Sequence, residues 1–165
     1  MNLKPAFRLL IFPLFLLVSC DDYKMPENKA LEKKLIGEWN STSLKITMNT
    51  FSNRDSTRVF EVDESNWEKE MNIRPVKTVY FGDGTFMAEH RNLNDSIIFN
   101  PFGTWTILGD TIVLRDTFPQ PGPVYKYKIV IKDNITEFFG VEDCDNDGTA
   151  DDNYYGVQRK IIRKK

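Results

Sequence analysis

The feature that most limits how this chain can fold is a series of short alternating segments joined by tight turns. In residues 124–132, tyrosines and isoleucines alternate with lysines over most of the segment. A two-residue period is typical of a β-strand with one buried face. Residues 82–84, 109–110 and 133–134 (Gly-Asp-Gly, Gly-Asp and Asp-Asn) each separate two such segments. Turns of this composition favour tight connections, so the pattern predicts three hairpins in an antiparallel sheet.

Most of the remaining chain shows the same strand-like alternation, and two segments show a helical pattern instead. The predicted strands span residues 39–48, 76–81, 85–90, 103–108, 111–115, 124–132, 135–141 and 154–162. A short amphipathic helix is predicted at 26–36, because Pro26 suits a helix start and Gly37 a helix stop. A second helix is predicted at 65–72, where Ser65 and Glu68 match a capping box.

The order of these elements predicts the architecture. Consecutive strands joined by tight turns favour an up-and-down antiparallel meander, and closing the meander into a barrel removes its exposed edges. We therefore expect an all-β barrel of about eight strands with one or two short helices, and a two-sheet β-sandwich is the competing architecture. Residues 29–165 are long enough to form this single domain.

The first twenty residues differ in composition from the rest. Lys4 and Arg8 precede an apolar run at residues 9–18, which is the layout of a secretory signal and is too short to cross a bilayer. Residues 17–20, Leu-Val-Ser-Cys, resemble the lipobox of bacterial lipoproteins. The resemblance implies that 1–19 are a signal peptide, that Cys20 is acylated, and that 20–28 form a polar tether before the folded domain.

This resemblance also bears on location and partners. A lipid on Cys20 implies membrane anchorage in the cell envelope, and we expect the outer membrane, on its periplasmic or its surface face. Asp21-Asp22 can also be interpreted as an inner-membrane retention signal. Because acylation uses Cys20, Cys144 has no intrachain partner and no disulfide is expected. The net charge of −2 gives no indication of a nucleic-acid surface, and we expect a monomer.

Three further segments suggest a family. Gly37-Glu38-Trp39 opens the first predicted strand, and residues 80–86 and 103–107 follow downstream. Together they resemble the lipocalin-like domains of bacterial lipoproteins, although the Thr-Asp-Tyr motif of true lipocalins is missing. The resemblance implies that Trp39 packs the closed end of the barrel and that Arg159 covers it. It also implies a small hydrophobic ligand inside the barrel; the alternative is an envelope accessory or interaction protein with a filled core.

The segment richest in candidate ligands is the acidic loop before the last strand. Oxygen donors stand there at alternate positions: Asp143, Asp145, Asp147, the Thr149 carbonyl and Asp151. Gly148 suits the sharp turn of such a loop, and this arrangement is typical of Ca²⁺ sites with a structural role. Tyr154 stands where a bidentate carboxylate usually completes the shell, although Glu142 or Asp152 could substitute. The alternative is a solvated acidic hairpin loop that binds no ion.

Signatures of catalysis are missing from the sequence. His90 is the single histidine, and it stands at the end of a predicted strand, which is typical of a surface residue. No nucleophile elbow, phosphate-binding glycine loop or Cys-x-x-Cys motif occurs. Neighbouring carboxylates should disfavour the thiolate of Cys144 and make it a poor nucleophile. We therefore expect that the protein is not an enzyme and needs no cofactor other than a possible structural Ca²⁺.

Overall fold

The computed structural model describes residues 27–51 and 56–163, which form two short helices and ten strands. The helices are α1 (Glu27–Leu35) and α2 (Trp67–Met71). The strands are β1 (Gly37–Met48), β2 (Arg58–Val62), β3 (Lys77–Tyr80), β4 (Thr85–Arg91), β5 (Ile97–Phe99), β6 (Phe102–Leu108), β7 (Thr111–Phe118), β8 (Val124–Lys132), β9 (Ile135–Glu142) and β10 (Asp152–Lys160). The predicted signal peptide, Cys20 and most of the predicted tether lie outside the described residues. Within the described ranges, no helix is both long and apolar enough to cross a bilayer.

Eight of the strands close into an antiparallel barrel. β1, β3, β4, β6, β7, β8, β9 and β10 pair in sequence order, and β10 pairs back with β1. The predicted up-and-down barrel is therefore confirmed, and the competing β-sandwich is wrong. β2 lies beside the second half of β1, and β5 lies beside the end of β4, so both are additions to the closed ring.

The three predicted hairpins join β3 to β4, β6 to β7 and β8 to β9. Gly84, Gly109 and Asp133 have positive φ angles of 84°, 64° and 53°. Tight hairpin turns need this left-handed conformation, which glycine adopts without strain and aspartate tolerates. The residues of these turns therefore favour the pairing of the two strands that each turn joins.

Two strands and one helix start differ from the prediction. β2 and β5 have only five and three residues, so neither gives a clear alternation in the sequence. The capping box at Ser65 does not form, because the Ser65 amide and hydroxyl both bond to the carboxylate of Asp63. As a result, α2 begins only at Trp67.

One end of the barrel is covered by α1 and filled with apolar side chains. We call the buried residues at this end the closed-end core: Leu35, Trp39, Phe86, Trp105, Ile107, Ile112, Ile129 and Ile131. Leu35 and Trp39 are both 0% exposed. β9 starts beside Arg159 at this end and runs away from it, so the acidic loop at 143–151 lies at the opposite end.

Candidate functional site

Beyond the closed-end core, the barrel interior is not filled. A cavity of about 260 Å³ lies among side chains of β1, β3, β4, β7, β8, β9, β10 and the α2 segment, and we call it the barrel cavity. Its apolar lining includes Leu44, Met71, Ile73, Val76, Leu114, Phe138 and Val157. Its polar lining comes mainly from tyrosines, two serines, His90 and Gln158. A mostly apolar pocket with a few polar groups is the usual composition of a small-molecule site.

Two tyrosines form one wall of the barrel cavity, and strand glycines give them room. The rings of Tyr127 and Tyr154 lie with centroids 4.8 Å apart. A Cβ on Gly140 would lie 2.5 Å from Cδ1 of Tyr127, and a Cβ on Gly156 would lie 2.8 Å from the hydroxyl of Tyr154. The alternation in residues 124–132 indicates the buried face that carries Tyr127. A glycine inside a strand often marks a place where another group approaches the backbone closely, and Gly140 and Gly156 are the sequence signal for this wall.

The tyrosine hydroxyls of the cavity stay protonated at physiological pH. Burial raises the pKa of Tyr154 to about 12 and also raises the pKa values of Tyr80 and Tyr127. The pKa of Glu142, beside the Tyr127 hydroxyl, is also raised by burial. The cavity therefore presents neutral hydroxyls rather than phenolate charges.

His90 does not lie on the outer surface that its strand-end position suggested. It lines the barrel cavity, and its ring lies 5.3 Å from the ring of Phe99 on β5. Burial lowers the pKa of the His90 imidazole, so the neutral form is favoured at neutral pH. The single histidine thus adds polarity to the cavity without adding a permanent positive charge.

Two polar atoms in the cavity wall lack hydrogen-bond partners among the described residues: the indole nitrogen of Trp67 and the Oε1 of Gln158. Trp67 is 4% exposed. The amide nitrogen of Gln158 donates to Thr78 Oγ1 at 3.3 Å. No motif marks either residue in the sequence, although Gln158 shares the inward face of β10 with Tyr154 and Gly156 through the two-residue period.

Trp39 lies at the closed end, and the basic residue over its ring is Lys160. The Trp39 indole donates to the Leu35 carbonyl at 2.6 Å. The Lys160 ammonium lies 5.0 Å from the centre of the Trp39 ring and donates to the Lys34 carbonyl at 2.7 Å. Arg159, expected from its position to cover Trp39, instead forms a two-bond ion pair with Glu64 at 2.6 and 2.9 Å. Neighbouring residues of a strand face opposite sides, which explains the exchange of roles.

The acidic loop brings together only part of the predicted ligand set. Carboxylate oxygens of Asp143, Asp145 and Asp152 lie within 4.8 Å of one another. Asp151 turns away and accepts a hydrogen bond from the Thr50 hydroxyl at 2.9 Å. The Thr149 carbonyl accepts the Asp151 amide at 3.0 Å. Asp152, a strand residue that is 1% exposed, replaces the later loop positions in this group.

Backbone amides already stabilise the clustered carboxylates. Asp143 accepts the amides of Asp147 and Gly148, each at 3.0 Å. Asp147 accepts the amide of Thr149 at 2.8 Å, and Asp152 accepts the amide of Cys144 at 2.7 Å. These bonds contribute to the conformation of the loop, and the Ca²⁺ site stays a prediction. Burial and the surrounding carboxylates raise the pKa of the Cys144 thiol to about 11, as the sequence indicated.

Comparisons with known proteins add no relative to this description. No protein-family model matches the sequence, and a search of the curated proteins returned no significant match. The lipobox and the likeness to lipocalin-like domains therefore stay predictions from the sequence.

Proposed function

We propose that the protein binds a small, mainly apolar molecule inside its barrel. The observation that carries this proposal is the cavity of about 260 Å³ beside the buried side chains of the closed-end core. Protein interiors are normally close-packed, and a void forfeits contact energy unless something fills it. An apolar cavity of about 150 Å³ holds one benzene molecule. By that standard, 260 Å³ corresponds to a ligand of about ten heavy atoms.

The cavity supports this function over the filled-core alternative. An accessory protein that works only through its loops gains nothing from an unfilled interior, because filling it would add stability. The glycines at 140 and 156 also argue for the space, since larger residues there would clash with the tyrosines that line it.

The test uses naphthalene, an apolar probe of the expected size. We expect saturable one-to-one binding, measured by isothermal titration calorimetry and by shifts of cavity resonances in NMR spectra. Ser41 lines the cavity, and Ser41→Leu should weaken binding at least tenfold by occupying the space. Asn40→Leu is the matched control, because Asn40 is the exposed neighbour on the same strand. If the unmodified protein binds neither naphthalene nor its hydroxyl and methoxy derivatives, the proposal is overturned.

We also propose that the barrel is held at a bacterial outer membrane by lipid on Cys20. The support is the Leu-Val-Ser-Cys segment after a signal-like apolar run. In cells given a palmitate analogue that can be detected by its tag, the protein should take up the label and sediment with membranes. Cys20→Ala should lose both properties, whereas Cys144→Ala should keep both. Label on the Cys20→Ala protein would contradict the anchor.

A further inference from the structure

The barrel cavity contains two unmatched hydrogen-bonding atoms of opposite kind. The indole N–H of Trp67 is a donor without an acceptor, and the Oε1 of Gln158 is an acceptor without a donor, among the described residues. Both residues line the cavity. A buried polar group without a partner is unfavourable, and native proteins tolerate few of them. Of the four such side-chain atoms among the described residues, two belong to residues that line this cavity, where a bound molecule would supply their partners.

Among the three tryptophans, the missing acceptor is confined to the one that lines the cavity. The Trp39 indole donates to the Leu35 carbonyl at 2.6 Å. The Trp105 indole donates to the Thr85 carbonyl at 2.8 Å and lies 3.2 Å from the Phe81 carbonyl. Only Trp67, the indole in the cavity wall, lacks an acceptor in the part of the chain that the structure describes.

The lack of charged side chains in the lining limits the charge that a ligand can carry. No lysine, arginine, aspartate or glutamate lines the barrel cavity within the described residues, and His90 is held towards its neutral form. An ion entering this site would lose its hydration without meeting an opposite charge, which is strongly unfavourable. The ligand is therefore uncharged, and its polar part has to include both a donor and an acceptor.

We propose that the ligand is a neutral alcohol or phenol of about ten heavy atoms, since a hydroxyl group is both a donor and an acceptor. Its acceptor meets the Trp67 N–H and its donor meets Gln158 Oε1, while the apolar remainder packs on the tyrosine wall. This inference rests on the proposed binding function and specifies the chemical class that the same cavity selects.

Three probes with the same ring system separate the contributions of apolar packing, the acceptor and the donor to the affinity. They are naphthalene, 2-methoxynaphthalene and 2-naphthol. The first has no hydrogen-bonding group, the second only an acceptor, and the third both. We expect 2-naphthol to bind about tenfold more tightly than naphthalene, with 2-methoxynaphthalene between them. Of the three indole N–H resonances, that of Trp67 should move downfield with 2-naphthol relative to naphthalene. Those of Trp39 and Trp105 should not move.

Two variants test whether the Trp67 indole nitrogen and Gln158 Oε1 cause the tighter binding of 2-naphthol. Trp67→Phe keeps an aromatic ring and removes the donor, and Gln158→Leu removes the acceptor. Each should reduce the preference for 2-naphthol to about twofold or less. Gln120→Leu is the control for the second change, because Gln120 is exposed in the loop after β7 and should keep the full preference. The indole resonances of the unmodified protein supply the same test if either variant fails to fold.

The outcomes separate the two proposals. Equal affinity for naphthalene and 2-naphthol overturns the alcohol assignment and leaves the binding function intact, because water would then satisfy both atoms. Failure of all three probes to bind overturns the binding function itself. Tighter binding of 2-naphthol that persists in both variants also overturns the assignment, because other atoms would then recognise the hydroxyl.

Discussion

The two halves of the barrel interior share strands β1, β4, β7 and β8 but differ in how completely they are filled. In the closed-end core, Trp39 is fully buried and its indole has a carbonyl acceptor. In the cavity half, Trp67 is almost as deeply buried, and its indole has no acceptor among the residues that the structure describes. The indole hydrogen bond is therefore made where α1 closes the barrel, and the corresponding bond is missing among the described residues where α2 lies. From this difference we expect the closed-end core to contribute most to stability and the cavity half to be where the proposed ligand binds.

The largest expected effect is the loss of the central side chain of the closed-end core. Trp39→Ala should lower the free energy of unfolding by about 3–5 kcal/mol, because a large buried ring leaves a cavity behind. Val130→Ala on the exposed face of β8 is the control and should change stability by less than about 0.5 kcal/mol. Urea unfolding followed by circular dichroism measures both values. A cost below about 1 kcal/mol for Trp39→Ala would show that the closed end is not the stabilising half.

A smaller effect is expected where the cavity wall depends on a glycine. Gly140→Ala should destabilise the fold by about 1–3 kcal/mol, because the new methyl group would overlap the Tyr127 ring. Gly82→Ala is the matched control, since its nearest neighbour would be 3.7 Å away. Thermal unfolding of the two variants gives the comparison. Equal melting temperatures would mean that the wall relaxes freely and that its shape is not fixed.

The contrast between the two indoles can be measured directly. Trp39→Phe breaks a short buried hydrogen bond, whereas Trp67→Phe removes a donor that has no acceptor among the described residues. Both substitutions lose similar packing contacts. Trp39→Phe should therefore lower the free energy of unfolding by about 1–2 kcal/mol more than Trp67→Phe does. Urea unfolding of the paired variants in the absence of ligand gives this difference. If Trp67→Phe is as costly as Trp39→Phe, its indole has a partner such as a buried water.

The barrel could be predicted from the sequence because its signals are local. Alternation in 124–132 and the turn residues at 82–84 fix strand faces and neighbours without reference to the rest of the chain. The cavity is different, because it depends on which inward side chains fail to meet across the barrel. Gln158 and Trp67 are distant in sequence, and neither carries a motif that marks it. The exchange of Arg159 for Lys160 over Trp39 has the same origin, since one position along a strand reverses the face.

The smallest expected effect concerns the only histidine, which lies in the cavity half. Because burial lowers the pKa of His90 below its ordinary value of 6.5 in the unfolded chain, the unfolded state binds more protons in acid. Its contribution to stability is therefore present above about pH 6.5 and is lost as the pH falls through the lowered pKa. His90→Gln should lose less stability than the unmodified protein between about pH 7.5 and about pH 5.

Urea midpoints at several pH values measure how much more stability the unmodified protein loses than His90→Gln does. Carboxylates titrate in both proteins, so their contribution cancels in this comparison. Naphthalene in the cavity should enlarge the difference, because a ligand beside His90 removes more of its water and favours the neutral imidazole further. Parallel pH curves for the two proteins, with or without naphthalene, would show that His90 is well solvated. The cavity half would then be open to water rather than a site that excludes it.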